Sequence, residues 1–581
     1  MKILLVAINA KFIHTCPAIY SLRSYALSMG SPLPEIALCE YTINDRYMDI
    51  LSSLLETDAD VIAFSTYIWN SERSRRLIRD IKKAREDLLL LAGGPEAVYA
   101  PLPFLLDGIE LCMCGEGEET FLYLARTLAM TGALPTPEQL KGHPGFAFLE
   151  NGKLTFTGMA PCVNLDELPF LYQDMPLPRH RIIYYESSRG CPYSCAYCLS
   201  GKEKGIRTRS LALVEKELQF FLDEKVPQVK FMDRTFNAIP SHAMAIWTYL
   251  KEHDNSITNF HFEIEARAIT KEEILLLKSL RPGLIQMEIG VQSANEVTLR
   301  SVCRSPDLGP IEALMKELVP PQNINLHLDL IAGLPYEGLE SFARSFNKVY
   351  ALTPHQFQLG FLKLLPGTPL WEKRDEYDLI ASSDAPYEIL KTRWLSIEEL
   401  NLLRRISDTV EIYVNSQGFR HSLPLLETLF PDAFTLFAEL TSYRLQKGQD
   451  GSSLSLAGRY ALLTDFTREV GKRGEDKEIE SEAEVLAENK KIEKEVQETD
   501  QGAQETDRQA KERKKNRDIS RILETIRFDS FLHVHKSRRM QTEETFDFGD
   551  GPIRYHFDYQ HTSPVNGEAS CCQRKEPAYE T

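Results

Sequence analysis

Nowhere in the 581 residues does an apolar run reach the roughly twenty that a membrane-spanning helix needs. The most apolar long window, residues 88–106, is broken by Gly93, Gly94, Glu96 and three prolines, so no span is expected. An excess of positive charge is also missing. Lys and Arg total 67 against 84 Asp and Glu, a formal net charge of −17, which argues against binding driven by a nucleic-acid backbone. The first residues lack the cleavage pattern of a signal peptide and only 11 cysteines are spread over the chain, so the expectation is a reduced, cytosolic protein. No repeat of fixed period stands out. Hydrophobic content of 43% and charged content of 26% are ordinary for globular proteins, and the length leaves room for two or three domains with buried cores.

Against that sparse background, Cys191, Cys195 and Cys198 fall within eight residues in a C-x3-C-x2-C spacing. Thiolates are the soft ligands that iron–sulfur clusters select, and three in one loop leave the fourth iron of a cubane open for chemistry. A structural zinc knuckle wants a fourth Cys or His close by, and none follows at zinc-finger spacing; a chance group of buried thiols is the other plain alternative. Tyr197 directly precedes the last cysteine. The loop resembles the cluster-binding loop of the radical S-adenosylmethionine (radical SAM) enzymes. That resemblance implies a 4Fe-4S cluster on the three cysteines, with S-adenosylmethionine bound by its amino and carboxylate groups to the open iron.

Residues 3–8, 61–64 and 88–92 are continuous apolar runs, as in strands buried on both faces, and 22–27, 49–55 and 71–85 carry apolar residues at helical spacing. The alternation predicts a doubly wound parallel sheet, in which ligands bind beyond the carboxyl ends of the strands. Small and polar residues stand there: Asn9 and His14, Ser65 and Thr66, Gly93 and Gly94, then Gly115, Glu116 and Gly117. Each glycine pair taken singly reads as a tight turn. Together the three loops resemble the cobalamin-binding domain that precedes the radical core in one large subclass of radical SAM enzymes, where small residues let the flat corrin approach backbone. None of the 13 histidines has Asp two residues before it, so the Asp-x-His-x-x-Gly signature of histidine-ligated cobalamin is missing. Cobalamin is therefore expected without a protein histidine on cobalt; His14, the one histidine near this edge, has hydrogen bonding within the loop as its plain alternative.

Residues 131–181 read as a linker with a hairpin, signalled by apolar residues 145–149 before Asn151 and Gly152. Strand candidates with polar ends follow at 182–185, 229–237, 261–267, 285–293, 326–335 and 358–368, separated by helical stretches such as 213–224 and 341–352. Six such units predict an open (β/α)6 barrel, with function at the strands' carboxyl ends. The resemblance to the radical SAM core spans residues 182–370. It implies that Glu288, Gln292 and Ser293 contact the ribose and methionine parts of S-adenosylmethionine. Asp233, Arg234, Glu263, Glu265 and Arg267 also end neighbouring strands, and they are candidates to hold charged groups of S-adenosylmethionine or substrate; strand-end ion pairing is their alternative.

Residues 371–470 are helical in period and resemble the helical carboxyl-terminal extension of one branch of the cobalamin-dependent subclass. Residues 471–517 are dominated by Glu, Lys, Asp and Gln, which predicts an exposed helix or disordered insert, and 518–581 resemble the end of the same extension. Cys571, Cys572, His533 and His535 lack partners at metal-binding spacing. The whole is thus expected as an α/β chain: a cobalamin-binding domain (1–130), linker (131–181), partial barrel (182–370) and mostly helical remainder. The resemblance implies reductive cleavage of S-adenosylmethionine by an external flavodoxin- or ferredoxin-type donor, hydrogen abstraction by a 5′-deoxyadenosyl radical, and methyl transfer to carbon or phosphorus of a small molecule, with rearrangement as a variant. A methylthiotransferase needs a second cluster, and Cys16, Cys39, Cys112 and Cys114 lack that family's setting; a non-catalytic cobalamin sensor is the other rival.

Overall fold

The computed structural model describes residues 1–173, 177–178, 180–202, 205–449, 454–489, 501–533, 541–562 and 568–573. They divide into two compact units. The first holds Met1–Ile324, Ile331–Gly338 and Gly360–Ile397, the second Asn325–Leu330, Leu339–Leu359 and Glu398–Thr581.

The first unit opens with β1 (Lys2–Asn9), which lies between β2 (Glu35–Thr42) and β3 (Val61–Ser65), parallel to both. β4 (Leu89–Gly93) and β5 (Leu111–Met113) continue the parallel order. The unbroken apolar run of β1 has a direct cause, because its side chains alternate between two cores. Ile3, Leu5 and Ala7 pack on the side of α1 (Pro17–Ser28), while Leu4, Val6 and Ile8 pack with α2 (Tyr47–Leu55) and α3 (Ser71–Ala84). The short helices α4 (Pro95–Tyr99) and α5 (Pro101–Asp107) precede β5, and α6 (Gly117–Thr131) follows it. The expected hairpin forms as β6 (Phe146–Glu150) and β7 (Lys153–Phe156). It does not stand apart in a linker: Met113 pairs with Phe146, so the hairpin extends the first sheet to seven strands.

A second parallel sheet in this unit pairs β8 (Ile183–Tyr185) with β11 (Gln228–Phe231), then β12 (Asn259–Ile264), then β13 (Ile285–Gln292). Helices Leu211–Asp223, Pro240–Glu252 and Lys271–Lys278 fill the crossovers. Along the chain the alternation continues through Gly309–Leu318, Asn325–Ala332, Leu339–Tyr350 and Gln356–Phe361, the six strand-and-helix repeats expected of a partial barrel. Between β8 and β11 lies an antiparallel pair that apolar periodicity did not signal, β9 (Ser188–Cys191) and β10 (Gly205–Thr208).

The second unit is mainly helical, with Ala433–Gln446, Leu456–Asn489 and Gln501–His533. It also carries an antiparallel sheet of Gln541–Asp547, Pro552–Thr562 and Ala569–Gln573 around Phe528, Leu532, Phe546 and Phe557, where a helical extension was expected. Alternating Ile553, Tyr555, Phe557 and Tyr559 after Gly549 and Gly551 was the available strand signal. The charged stretch 471–517 is helical over 471–489 and 501–517 and continuous with its flanking helices; residues 490–500 lie outside the described residues, as do His535 and 563–567. Among the described residues no helix is long and apolar enough to cross a membrane. Replacing residues 476–512 with a short Gly/Ser linker is expected to change the unfolding free energy by no more than about 1 kcal/mol, because little apolar area leaves with them. A calorimetric melt of the two chains tests this, and a larger loss would reveal packing along the removed helices.

Candidate functional site

The three cysteines leave the end of β9 in one loop. Cys191 closes the strand, and the Cys198 amide donates to Cys195 O at 3.0 Å, a tight turn between the last two thiols. Gly190, just before Cys191, has φ 101°, and a Cβ there would lie 2.3 Å from Gly205 O on β10, so only glycine lets the pair close. The loop is gripped from outside. Ala196 donates its amide to Val302 O at 3.0 Å and accepts from Leu370 N at 2.9 Å. The thiols are all partly exposed and free, and Cys191 Sγ is 3.5 Å from Thr235 Oγ1. Three unlinked, reachable sulfurs on a braced loop form a donor set that fits a cubane with one open iron.

Arg304 was not foreseen from the sequence. Its Nη1 lies 3.6 Å from Cys195 Sγ and 3.5 Å from Tyr197 Oη, and its Nη2 donates to Gly290 O on β13 at 2.6 Å. Burial pushes the Cys195 thiol up and Arg304 pulls it back. Burial likewise works against the Arg304 charge, but Tyr197, Cys195 and Glu265 outweigh it, so the guanidinium stays charged.

The polar strand ends divide into residues that hold and residues that face outward. Asp233 is fully buried and accepts from the Ser187 and Ser188 amides at 2.9 and 3.0 Å and from Ser187 Oγ at 2.5 Å. Burial pushes its carboxyl up to about 7, against those hydrogen bonds. Those contacts engage the carboxylate within the protein. Asp233 braces the backbone that leads into the cysteine loop. Ser293 is likewise fully buried and donates to Glu337 Oε1 at 2.7 Å while accepting from Asn295 N at 3.0 Å, so its hydroxyl is engaged within the protein. Glu265 sits in a bidentate pair with Arg267 at 2.9 and 3.0 Å, with Arg304 at 3.9 Å. Burial would raise its carboxyl, but the Arg267 guanidinium, with Arg304 behind it, holds it below the usual range. Glu288 lies 3.1 Å from His261 Nε2 and 3.5 Å from Lys230 Nζ, while Lys230 is 3.9 Å from Glu263. Gln292 ends β13 with φ 71°.

At the carboxyl edge of the first sheet, Asn9 donates to Glu40 Oε1 at 3.1 Å and Ser65 Oγ meets Cys16 Sγ at 3.4 Å. Thr66, fully buried, donates its hydroxyl to Gly93 O at 2.8 Å and accepts from Ala97 N at 3.1 Å. A Cβ on Gly94, whose φ is 96°, would lie 2.5 Å from Thr66 O. The glycine is thus demanded by its own chain. Thr66 and Gly94 are structural, whereas Ser65 and Gly93 stand at the edge itself.

That edge is tied to β8 and β9. His14 Nδ1 is 2.6 Å from Tyr184 Oη, and Arg181 pairs with Glu40 at 2.8 Å. Arg189, two residues before Cys191, meets Glu116, Glu118 and Glu186 at 3.1, 3.0 and 2.7 Å, and Arg207 also pairs with Glu116. Glu116 immediately precedes α6 and Glu118 lies in its first turn, where the helix dipole favours carboxylates. Burial would raise Glu118, yet Arg189 keeps it below its ordinary value. Glu116, expected to line a cofactor, is an ion-pair residue, flanked by Gly115 and Gly117.

Comparison with known proteins agrees with this layout. Residues 6–125 match the B12 binding domain, 185–349 the Radical SAM superfamily, and 375–547 a protein family of unknown function, DUF4080. An uncharacterized methyltransferase of Pyrococcus horikoshii is 25% identical over 373 residues, 60% of this chain and 77% of its own. TokK of Streptomyces tokunonensis, a cobalamin-dependent radical SAM methyltransferase, is 24% identical over 55% of this chain and 50% of its own, so the match spans half that relative. In solved structures, TsrM of Kitasatospora setae, a radical S-adenosylmethionine methyltransferase with cobalamin and a 4Fe-4S cluster bound, matches with a TM-score of 0.54 at 18% identity, over 66% of this chain and 76% of that one. The cobalamin-dependent S-adenosylmethionine radical enzyme OxsB matches with 0.54 at 17% identity, over 80% and 75%. These likenesses share the fold.

The bracing role of Asp233 has a direct test. Asp233→Asn keeps an oxygen for both amides and a donor for Ser187 Oγ, so its melting temperature is expected near that of the parent. Asp233→Ala leaves two buried amides unpaired and is expected to cost about 1–3 kcal/mol for each. Equal stability of the two variants would remove the role.

Proposed function

We propose that this chain, which belongs to the B12-binding radical SAM proteins, is a cobalamin-dependent radical SAM methyltransferase acting on a small molecule, with carbon or phosphorus as the methyl acceptor. The observation that carries the reading is the braced loop of Cys191, Cys195 and Cys198 on a strand ion-paired, through Arg189, to Glu116 and Glu118 in the residues that match a B12 binding domain. When bound, the cluster supplies the electron that cleaves S-adenosylmethionine, and cobalamin supplies the methyl group. The three cysteines would hold the cluster. Tyr197 in the same loop, Glu265 just after β12, and Glu288 and Gln292 on β13 would orient S-adenosylmethionine. Asn9, His14, Ser65 and Gly93 stand on the edge that would face the corrin.

The residue ranges follow from the same reading: 1–130 for cobalamin, 182–370 for the radical core, the rest supporting. The donor would be an external flavodoxin or ferredoxin, and the compartment the reducing cytosol, in keeping with the unlinked thiols of Cys16, Cys39, Cys112 and Cys114. A net charge of −17 supports a substrate other than nucleic acid. The methylthiotransferase alternative needs thiols for a second cluster, but Cys16, Cys112 and Cys114 are buried in the first sheet's cores and Cys39 lies on β2.

Anaerobic reconstitution is expected to give about four irons per chain and a broad band at roughly 400 nm. Incubation with dithionite should then yield 5′-deoxyadenosine or S-adenosylhomocysteine from S-adenosylmethionine. Cys195→Ala should lose the band and the turnover together; full iron in that variant would sink the cluster assignment, and about eight irons in the parent would favour the rival.

A second expectation concerns cobalt. His14 Nδ1 is engaged by Tyr184 Oη at 2.6 Å. Paramagnetic resonance of the cob(II)alamin complex should show no nitrogen splitting, and splitting that disappears in His14→Ala would make His14 the axial ligand.

A further inference from the structure

Arg304 stands outside every motif in the sequence, yet its side chain is only 17% exposed and its guanidinium reaches one particular sulfur. Its position is over-determined. Nη2 is fixed on Gly290 O at 2.6 Å, and Val302, two residues earlier, holds the cysteine loop through Ala196 N at 3.0 Å. Nη1 is left to point at Cys195 Sγ, 3.6 Å away, and at Tyr197 Oη, 3.5 Å away. Glu265 balances the charge in part from 3.9 Å, but that carboxylate is paired more closely with Arg267. The net result is a buried cation with an N–H directed at a single ligand sulfur.

We propose that Arg304 sets the reduction potential of the cluster held by Cys191, Cys195 and Cys198, making the reduced form easier to reach. This rests on the cluster reading above. Reduction adds one electron, hence one negative charge, to a group whose ligand sulfurs already carry charge. A cation and hydrogen-bond donor at one of those sulfurs stabilises the more negative state, and the effect is large because little solvent intervenes. No proton moves, since the guanidinium is charged in both states. The electron comes from the low-potential external donor, and in the test from dithionite.

The measurement is a redox titration followed by paramagnetic resonance on the full chain, reconstituted anaerobically, with iron and sulfide counted in each sample. Arg304→Gln is expected to bind the parent's complement of iron while its midpoint falls. The expected fall is about tenfold in the reduced-to-oxidised ratio at a fixed poise, which is about 59 mV for one electron. Arg304→Lys keeps a cation but cannot reach both Gly290 O and the sulfur, so its midpoint should lie between. A full cluster with an unchanged midpoint in Arg304→Gln overturns the assignment. Should that variant fail to take up iron, Arg304→Lys decides: a lowered midpoint at full iron supports the role, and an unchanged one overturns it. A parent chain that takes up no iron would fail earlier, overturning the cluster reading and this inference with it.

Discussion

A guanidinium removed from water must be met by carboxylates, and Arg189 is met by three. Its charge is held above the ordinary arginine range because Glu186 and Glu118 more than offset the burial that works against it. Such a group is worth little as a net source of stability, since the desolvation of four charges roughly cancels their attraction; what it does is forbid partial separation. Pulling β9 from the N-terminus of α6 would strand Glu118 without its cation and leave Glu116 with Arg207 alone. Loss of one partner in a buried pair costs about 3–5 kcal/mol, enough to keep the strand that carries Cys191 in one place.

The same logic recurs inward along that strand. Asp233 pins Ser187 and Ser188, Arg189 pins the next residue, and Gly190 allows β10 to close over the turn. By the time the chain reaches Cys191, four consecutive positions have been fixed by Asp233, the Arg189 ion pairs and the pairing with β10. Val302, Leu370 and Arg304 then fix the far side of the loop. A set of ligands with an open coordination position needs this outside support, because the cluster itself braces only three points.

The parallel sheets were legible because burial on both faces writes continuous apolar runs, as in residues 3–8, and the cysteine loop because its chemistry is local in sequence. β2 escaped notice since it is an edge strand of mixed polarity, and β5 because it is only three residues long. The site was less legible for a different reason. Asp233 and Ser293 look like ligands in sequence, being polar residues after strands, and only the fold shows that their donors and acceptors are consumed within the protein. Conversely, Arg304 lies more than one hundred residues from Cys195 and shares no motif with it. Long-range charge placement leaves no trace in local spacing.

This has a bearing on how the residues at such an edge should be weighed. A polar strand end already engaged within the protein, like Thr66 or Asp233, would have to break buried bonds to turn toward a ligand, at about 1–3 kcal/mol for each group left unpaired. Residues with capacity left over are a smaller set. The cysteines belong to it, free and partly exposed, and so does the Nη1 of Arg304, whose contacts at 3.5–3.6 Å are looser than the 2.6 Å bond on its other arm. Unspent capacity beside the thiols, more than polarity alone, separates the residues that would meet a cofactor from those that hold the fold around it.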